Sequence, residues 1–288
     1  MNTLSVNLRA ALVSCLILVF FLGAWQLSSQ GPAIGGATKV GATAEEIEYL
    51  KMMGKDPGAS KSTGFPPPVE VVKAIGNQLA NPFYDNGPND KGIGIQLAHS
   101  LGRVGLGFLL AVMVALPLGF LIGMSPLMHK AIDPFIQVLK PISPLAWMPL
   151  ALYTLKDSSV SGIFVIFICS VWPMLINTAF GVANVRSDWI SVAQTHELSQ
   201  LKTAFLVILP AAAPTILTGM RISIGIAWLV IVAAEMLVGG TGIGYYVWNE
   251  WNNLDLNSVI FSILMIGVVG MALDFALGRV EKLVQYKE

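Results

Sequence analysis

The sequence predicts an all-α, polytopic membrane bundle of six transmembrane helices, and three observations carry that prediction. Of 288 residues, 55% are hydrophobic and 12% charged, with a mean hydropathy of +0.69; this is too apolar for an ordinary soluble domain. Six windows, about 10–28, 97–123, 134–155, 159–182, 210–234 and 257–278, are apolar enough to cross ~30 Å of hydrocarbon, which takes about 20 helical residues. In the short segments, Arg9, Lys130, Arg186, Lys202, Arg279, Lys282 and Lys287 fall on one side, against Lys156 alone on the other. That bias puts both termini in the cytoplasm.

Residues 1–96 read as an N-terminal span followed by a long external loop, about 29–96, and residues 97–288 as the core. Arg9 before the first apolar window also fits a secretory signal, but no small-x-small cleavage site closes it before "LSSQGP", which favours a retained span. The loop holds a helical pattern at "AEEIEYLKMMG" and a proline run, "FPPPVEVV"; its six lysines are balanced by seven acids.

The third window contains "LKPISPLAWMPL". Pro141, Pro144 and Pro149 would free the carbonyls of Gln137, Lys140 and Leu145, tolerable at membrane depth only against other protein or a watery cavity. This span is therefore central, either as the wall of a pathway or as a kink that helps helices pack. Asp133 and Pro134 read as its cap and first turn. Ionisable residues within the spans are Arg103, Lys140, Arg221 and Asp274. Lys140 can snorkel to water, whereas Arg221, eleven residues past Pro210, is about 16 Å along its helix, near mid-bilayer. It serves an internal ion pair, a carbonyl clamp or an anionic substrate.

Several chemistries are excluded. Cys15 and Cys169 lie in apolar runs and make neither a disulfide framework nor a metal site. Zero net charge without a basic run removes the basis for nucleic-acid binding. "GASKSTG" misses the phosphate-loop spacing, and "GGTGIG", residues 239–244, reads as a flexible turn at the outer surface. His99, His129 and His196 lack paired ligand spacing. No acid, base and metal groups converge, so no catalytic or metal residue is assigned, and no matching halves suggest a self-sufficient secondary transporter, the less favoured alternative.

The passage "SVAQTHELSQLKTAFLVILPAAAPTILTGMRISIGIAWLVIVAAEML", residues 191–237, resembles the coupling loop and following helix of bacterial ABC importer permeases. "HSLGRVGLGFLLA", "DPFIQVLKPISPLAWMPL", "WPMLINTAFGV" and "LTGMRISIGIAWLVIVAAEM" resemble the branch serving nitrate, bicarbonate, cyanate, taurine and alkanesulfonates. "NPFYDNGPNDKGIGIQL" is most similar to nitrate and bicarbonate permeases, with nitrate favoured. The resemblance implies a type I importer permease fold in the bacterial inner membrane, surrounded by lipid. It also implies a second permease copy, two cytoplasmic ATPase subunits that hold the ATP and magnesium, and a periplasmic or lipid-anchored substrate-binding protein.

The family's coupling signature places Ser191, Val192 and Ala193 at the EAA triplet and Glu197 at the usual glycine; glycine alone takes a positive φ without penalty. Two short helices are expected from "DWISVAQTHEL" and "LKTAFLVI" within residues 184–206. Val192, Leu198, Leu201 and Phe205 recur as one apolar stripe, and with Ala193 and Glu197 they make the ATPase-coupling set. The substrate-pathway set is Arg221, Arg103, Pro141 and Pro144, with Trp147 and Asn177 from two of the matching stretches.

Overall fold

The structure is a computed structural model that describes residues 3–30, 65–87 and 89–284. The "AEEIEYLKMMG" pattern and the "GASKSTG" stretch lie outside the described residues. Among the described residues there are helices and one isolated bridge, Asp85 to Lys91, and no strand. The helices are α1 (Thr3–Gln30), α2 (Pro68–Ala80), α3 (Ile93–Met124), α4 (Pro126–Leu139), α5 (Pro144–Leu155), α6 (Ser158–Ala183), α7 (Ser187–Thr195) and α8 (Gln200–Thr203). A π-helical turn (Ala204–Ile208) then leads into α9 (Leu209–Val238), followed by α10 (Ile243–Asn252) and α11 (Leu256–Val284).

Five stretches are long and apolar enough to cross a membrane: Leu8–Ser29, α3, α6, the run Gln200–Val238 and α11. The pair α4 and α5 makes the sixth when taken as one span, bent by 90°. Local chemistry explains the bend. Ser125 caps α4 by accepting from the Met128 amide at 3.4 Å, with Pro126 in the first turn. The start is thus earlier than the expected Asp133 and Pro134, because a serine cap and a proline already stand there; Pro134 lies inside the helix and Asp133 accepts from the Gln137 amide group at 2.6 Å. Pro141 falls in the break, and Pro144 opens α5 after Ser143, where its missing N–H costs no helical bond. Of the three prolines only Pro149 sits inside its helix.

The described residues fall into two units, those within 1–80 and 254–261, and those within 81–253 and 262–288. In the first, the Trp25 indole donates to the Pro66 carbonyl at 3.1 Å, its ring 5.6 Å from that of Phe65, and the Gln78 amide donates to Ser258 Oγ at 3.4 Å. The long loop foreseen from the sequence therefore contains the helix α2.

The second unit is built on a close seam between α3 and α6. Gly107, Ala111, Ala115, Gly119 and Gly123 recur every four residues and so share one face of α3. A β-carbon at Gly119 would lie 2.6 Å from Thr178 Cβ, and one at Gly123 would lie 2.6 Å from the Ala179 carbonyl oxygen. Small residues let the backbones meet where hydrocarbon supplies no hydrophobic drive between helices. Helix α9 joins the other side of α6, where the Ser223 hydroxyl donates to the Ser170 carbonyl at 2.8 Å. A buried cluster of Met148, Ala151, Val165, Val230 and Ala234 ties α5, α6 and α9 together.

Candidate functional site

The densest polar cluster lies where α9 ends. Arg103 Nη1 contacts Glu235 Oε1 and the Thr241 carbonyl, each at 2.7 Å, and its Nη2 donates to Ser159 Oγ at 3.0 Å. The Ser100 hydroxyl stands 2.8 and 2.9 Å from the two Glu235 oxygens and accepts from the Ile243 amide at 2.9 Å. The Gly244 amide donates to Glu235 Oε2 at 3.0 Å and the Gly242 amide to Gln96 Oε1 at 2.6 Å. Glu235 is 4% exposed. The turn 239–244 is thus wrapped on a buried carboxylate, against the expectation of a flexible surface turn: a β-carbon at Gly242 would sit 2.2 Å from Glu235 Cδ. Sequence reasoning missed Glu235 because the fifth window was closed at residue 234, one residue short. The signal was an acid inside "VAAEMLV".

Beside this knot, Asn89 is pinned to α10. Tyr245 donates to Asn89 Oδ1 at 3.0 Å, and Asn249 Nδ2 to the Asn89 carbonyl at 3.3 Å. Burial, with Asp90 and Glu250 adding to it, pushes the Tyr84 phenol up to about 12.

Arg221 forms a second cluster. Its guanidinium meets both Asp274 oxygens at 2.6 Å and Glu281 Oε2 at 3.4 Å, while Thr218 donates to Glu281 Oε1 at 3.0 Å. Of the alternatives an ion pair is the arrangement seen, with the Arg221 and Asp274 side chains 41% and 54% exposed in the single chain. Arg221 lies 17 residues from Val238 and Asp274 lies 18 from Leu256, about 26 and 27 Å along their helices. Arg221 is also 12 residues from Leu209, and so stands near the middle of α9.

The other pathway residues are spread out. Pro141 is exposed in the α4–α5 break, Pro144 starts α5, and Trp147 packs half-buried on the Met148 cluster. Asn177 donates to its own helix at the Pro173 carbonyl, 2.8 Å away. The structure brings these four together with neither arginine cluster.

In the coupling segment, α7 ends in a Schellman turn. The Leu198 amide bonds the Ala193 carbonyl at 3.2 Å and the Glu197 amide the Gln194 carbonyl at 2.9 Å. Glu197 has φ of 53°, so the left-handed turn that favours glycine is made here by glutamate. Ala193 is buried under it, Leu198 is half-buried, and Val192, Leu201 and Phe205 are exposed.

Residues 115–286 match the family described as binding-protein-dependent transport system inner membrane component. The chain is 45% identical over 226 residues to the nitrate import permease protein NrtB of Synechocystis sp., covering 78% of this chain and 82% of that one. It is 44% identical over 207 residues to the bicarbonate transport system permease protein CmpB of Synechocystis sp., covering 72% and 74%. To the taurine transport system permease protein TauC of Escherichia coli it is 31% identical over 217 residues, covering 75% and 78%. Its fold is similar to a chain of the inward-facing MetNI methionine ABC transporter, with a TM-score of 0.58 at 12% identity, covering 66% of this chain and 94% of that chain. By family match, identity and helical architecture, the chain belongs to the binding-protein-dependent transport system inner membrane components, the permease chains of ABC importers.

Proposed function

We propose that the chain is the permease subunit of an ATP-driven importer of a small inorganic anion, nitrate first. The observation that carries this is its 45% identity to a nitrate import permease over 78% of the chain. Bicarbonate is the second reading, supported by 44% identity over 72%.

In this reading both termini are cytoplasmic, two copies of the chain pair around the path, and a periplasmic or lipid-anchored binding protein delivers the anion. Two ATPase chains hydrolyse ATP with magnesium and push on the coupling segment through Val192, Leu198, Leu201 and Phe205, with Ala193 and Glu197 holding its shape. The path follows the α4–α5 break at Pro141, Pro144 and Trp147, and Asn177. Arg103 and Arg221 act as positioning residues that hold the helices around it, since their guanidinium donors are taken up by Glu235, Ser159 and a carbonyl, and by Asp274 and Glu281.

The test is uptake of labelled nitrate into proteoliposomes holding permease, ATPases and binding protein. ATP-dependent nitrate accumulation that excess bicarbonate leaves unchanged is expected. Accumulation of bicarbonate with no nitrate uptake would replace the first reading by the second.

A further inference from the structure

Helix α10 has 10 residues, too few to span a membrane, and three unlike sides. Residues three and four apart share a helix face. Ile243 and Tyr246 are buried and make the side turned to the bundle. Tyr245 and Asn249 make the second, where both donate to Asn89, within the polar stretch "YDNGPNDKG" that leads into α3. Trp248 and Trp251 make the third. They are 41% and 52% exposed, with ring centroids 5.2 Å apart. At about 100° per residue, the indole side lies roughly 110° from the Asn89 side and 140° from the bundle side. It points away from both.

Hydrogen bonds also fix the depth of α10. The Ile243 amide donates to Ser100 Oγ at 2.9 Å, and Ser100 is seven residues past Ile93, about 10 Å from the start of α3. The 32 residues of α3 make about 48 Å of helix against ~30 Å of hydrocarbon, so that α3 centred on the bilayer overhangs by about 9 Å at each end. Ser100 therefore marks the hydrocarbon boundary. Asn89, four residues before α3, stands on its water side. Tied to both, α10 runs through the headgroup layer.

We propose that α10 is an interfacial anchor, with Trp248 and Trp251 seated in the headgroup–acyl boundary of the bilayer at the membrane face where α3 begins and α9 ends. Tryptophan suits that layer, because a large apolar ring carries one polar N–H. The chain enters α10 from one spanning helix, α9, and leaves it towards another, α11, so the indole side continues a surface that lipid already covers. The anchor is firmly mounted. The Gly244 amide bonds Glu235 of α9 and the Ile243 amide bonds Ser100 of α3, which ties the ends of both spans to the depth at which the indoles sit.

The experiment uses the full-length chain in phosphatidylcholine liposomes, with Cys15→Ser and Cys169→Ser as background. A bimane is attached to a single cysteine replacing Trp248, Trp251 or, as a control for the bilayer interior, Leu110, which is exposed midway along α3. Nitroxide lipids carry the quencher either near the headgroup or near the end of the acyl chain. At 248 and 251 the headgroup quencher is expected to remove at least about twofold more emission than the chain-end quencher, as interfacial positions should, with the order reversed at 110. Every other result at 248 and 251 overturns the proposal: quenching by aqueous iodide alone puts the indoles in water, protection from lipid and iodide alike puts them against a second copy of the chain, and stronger chain-end quenching puts them in the bilayer interior. If a cysteine variant does not insert, the tryptophan emission of the unaltered chain and of a Trp248→Phe, Trp251→Phe variant decides, in phosphatidylcholine brominated just below the headgroup. The part of the emission that this lipid quenches is expected to fall by about a third or more in the double variant; a smaller fall overturns the proposal.

Discussion

At the scale of single residues, the two clearest exceptions to sequence rules are Glu197 and Glu235. A glutamate at φ 53° carries a left-handed penalty of about 1 kcal/mol or somewhat more. Glu197→Gly should therefore leave uptake intact and slow amide exchange at Leu198, whose hydrogen bond closes the turn. Faster exchange would show that the glutamate side chain holds the turn. Glu235 carries the opposite expectation. Removing one partner of a buried ion pair strands the other, at a cost of about 3–5 kcal/mol. Glu235→Ala should lower the thermal midpoint of the purified permease sharply, and adding Arg103→Met should recover much of the loss by removing the stranded charge. An unchanged midpoint in the single variant would mean that the knot does not hold α3 to α9.

At the scale of elements, the α3–α6 seam separates glycines that pack from glycines that do not. Gly119→Val pushes a branched side chain into Thr178, whereas a β-carbon at Gly102 meets nothing within 4 Å. The valine variant should lose most of its folded yield in detergent, and Gly102→Ala should keep it; equal yields would mean that the helices separate at no cost. Much of this architecture was legible beforehand, because length and apolarity alone locate a spanning helix. The windows at 159–182 and 210–234 fall within α6 and α9, and the prolines of the third window marked its break. Boundaries were less legible. Ser125 and Pro126 were passed over for Asp133 and Pro134, since either pair satisfies the local rule and only packing chooses. The polar knot was least legible, for its members stand up to 146 residues apart, and no local period links a carboxylate to a glycine turn and a distant arginine.

At the scale of the whole molecule, the lysine and arginine count fixes a proposed orientation that one labelling pair can check. With both native cysteines replaced, Asn253→Cys should react with an impermeant thiol reagent added to intact cells, and Ser187→Cys should react only after lysis; the reverse pattern inverts the chain in the membrane. The Arg103–Glu235 contact also sets a schedule for biosynthesis. Its two halves are 132 residues apart, and a ribosome adding about 5–20 residues per second takes roughly 7–26 seconds between them. Throughout that interval α3 carries an arginine whose acid has not yet been made, a costly group to leave in lipid. The ion pair that offsets this cost therefore dates from the arrival of α9 and not from the completion of α3 itself.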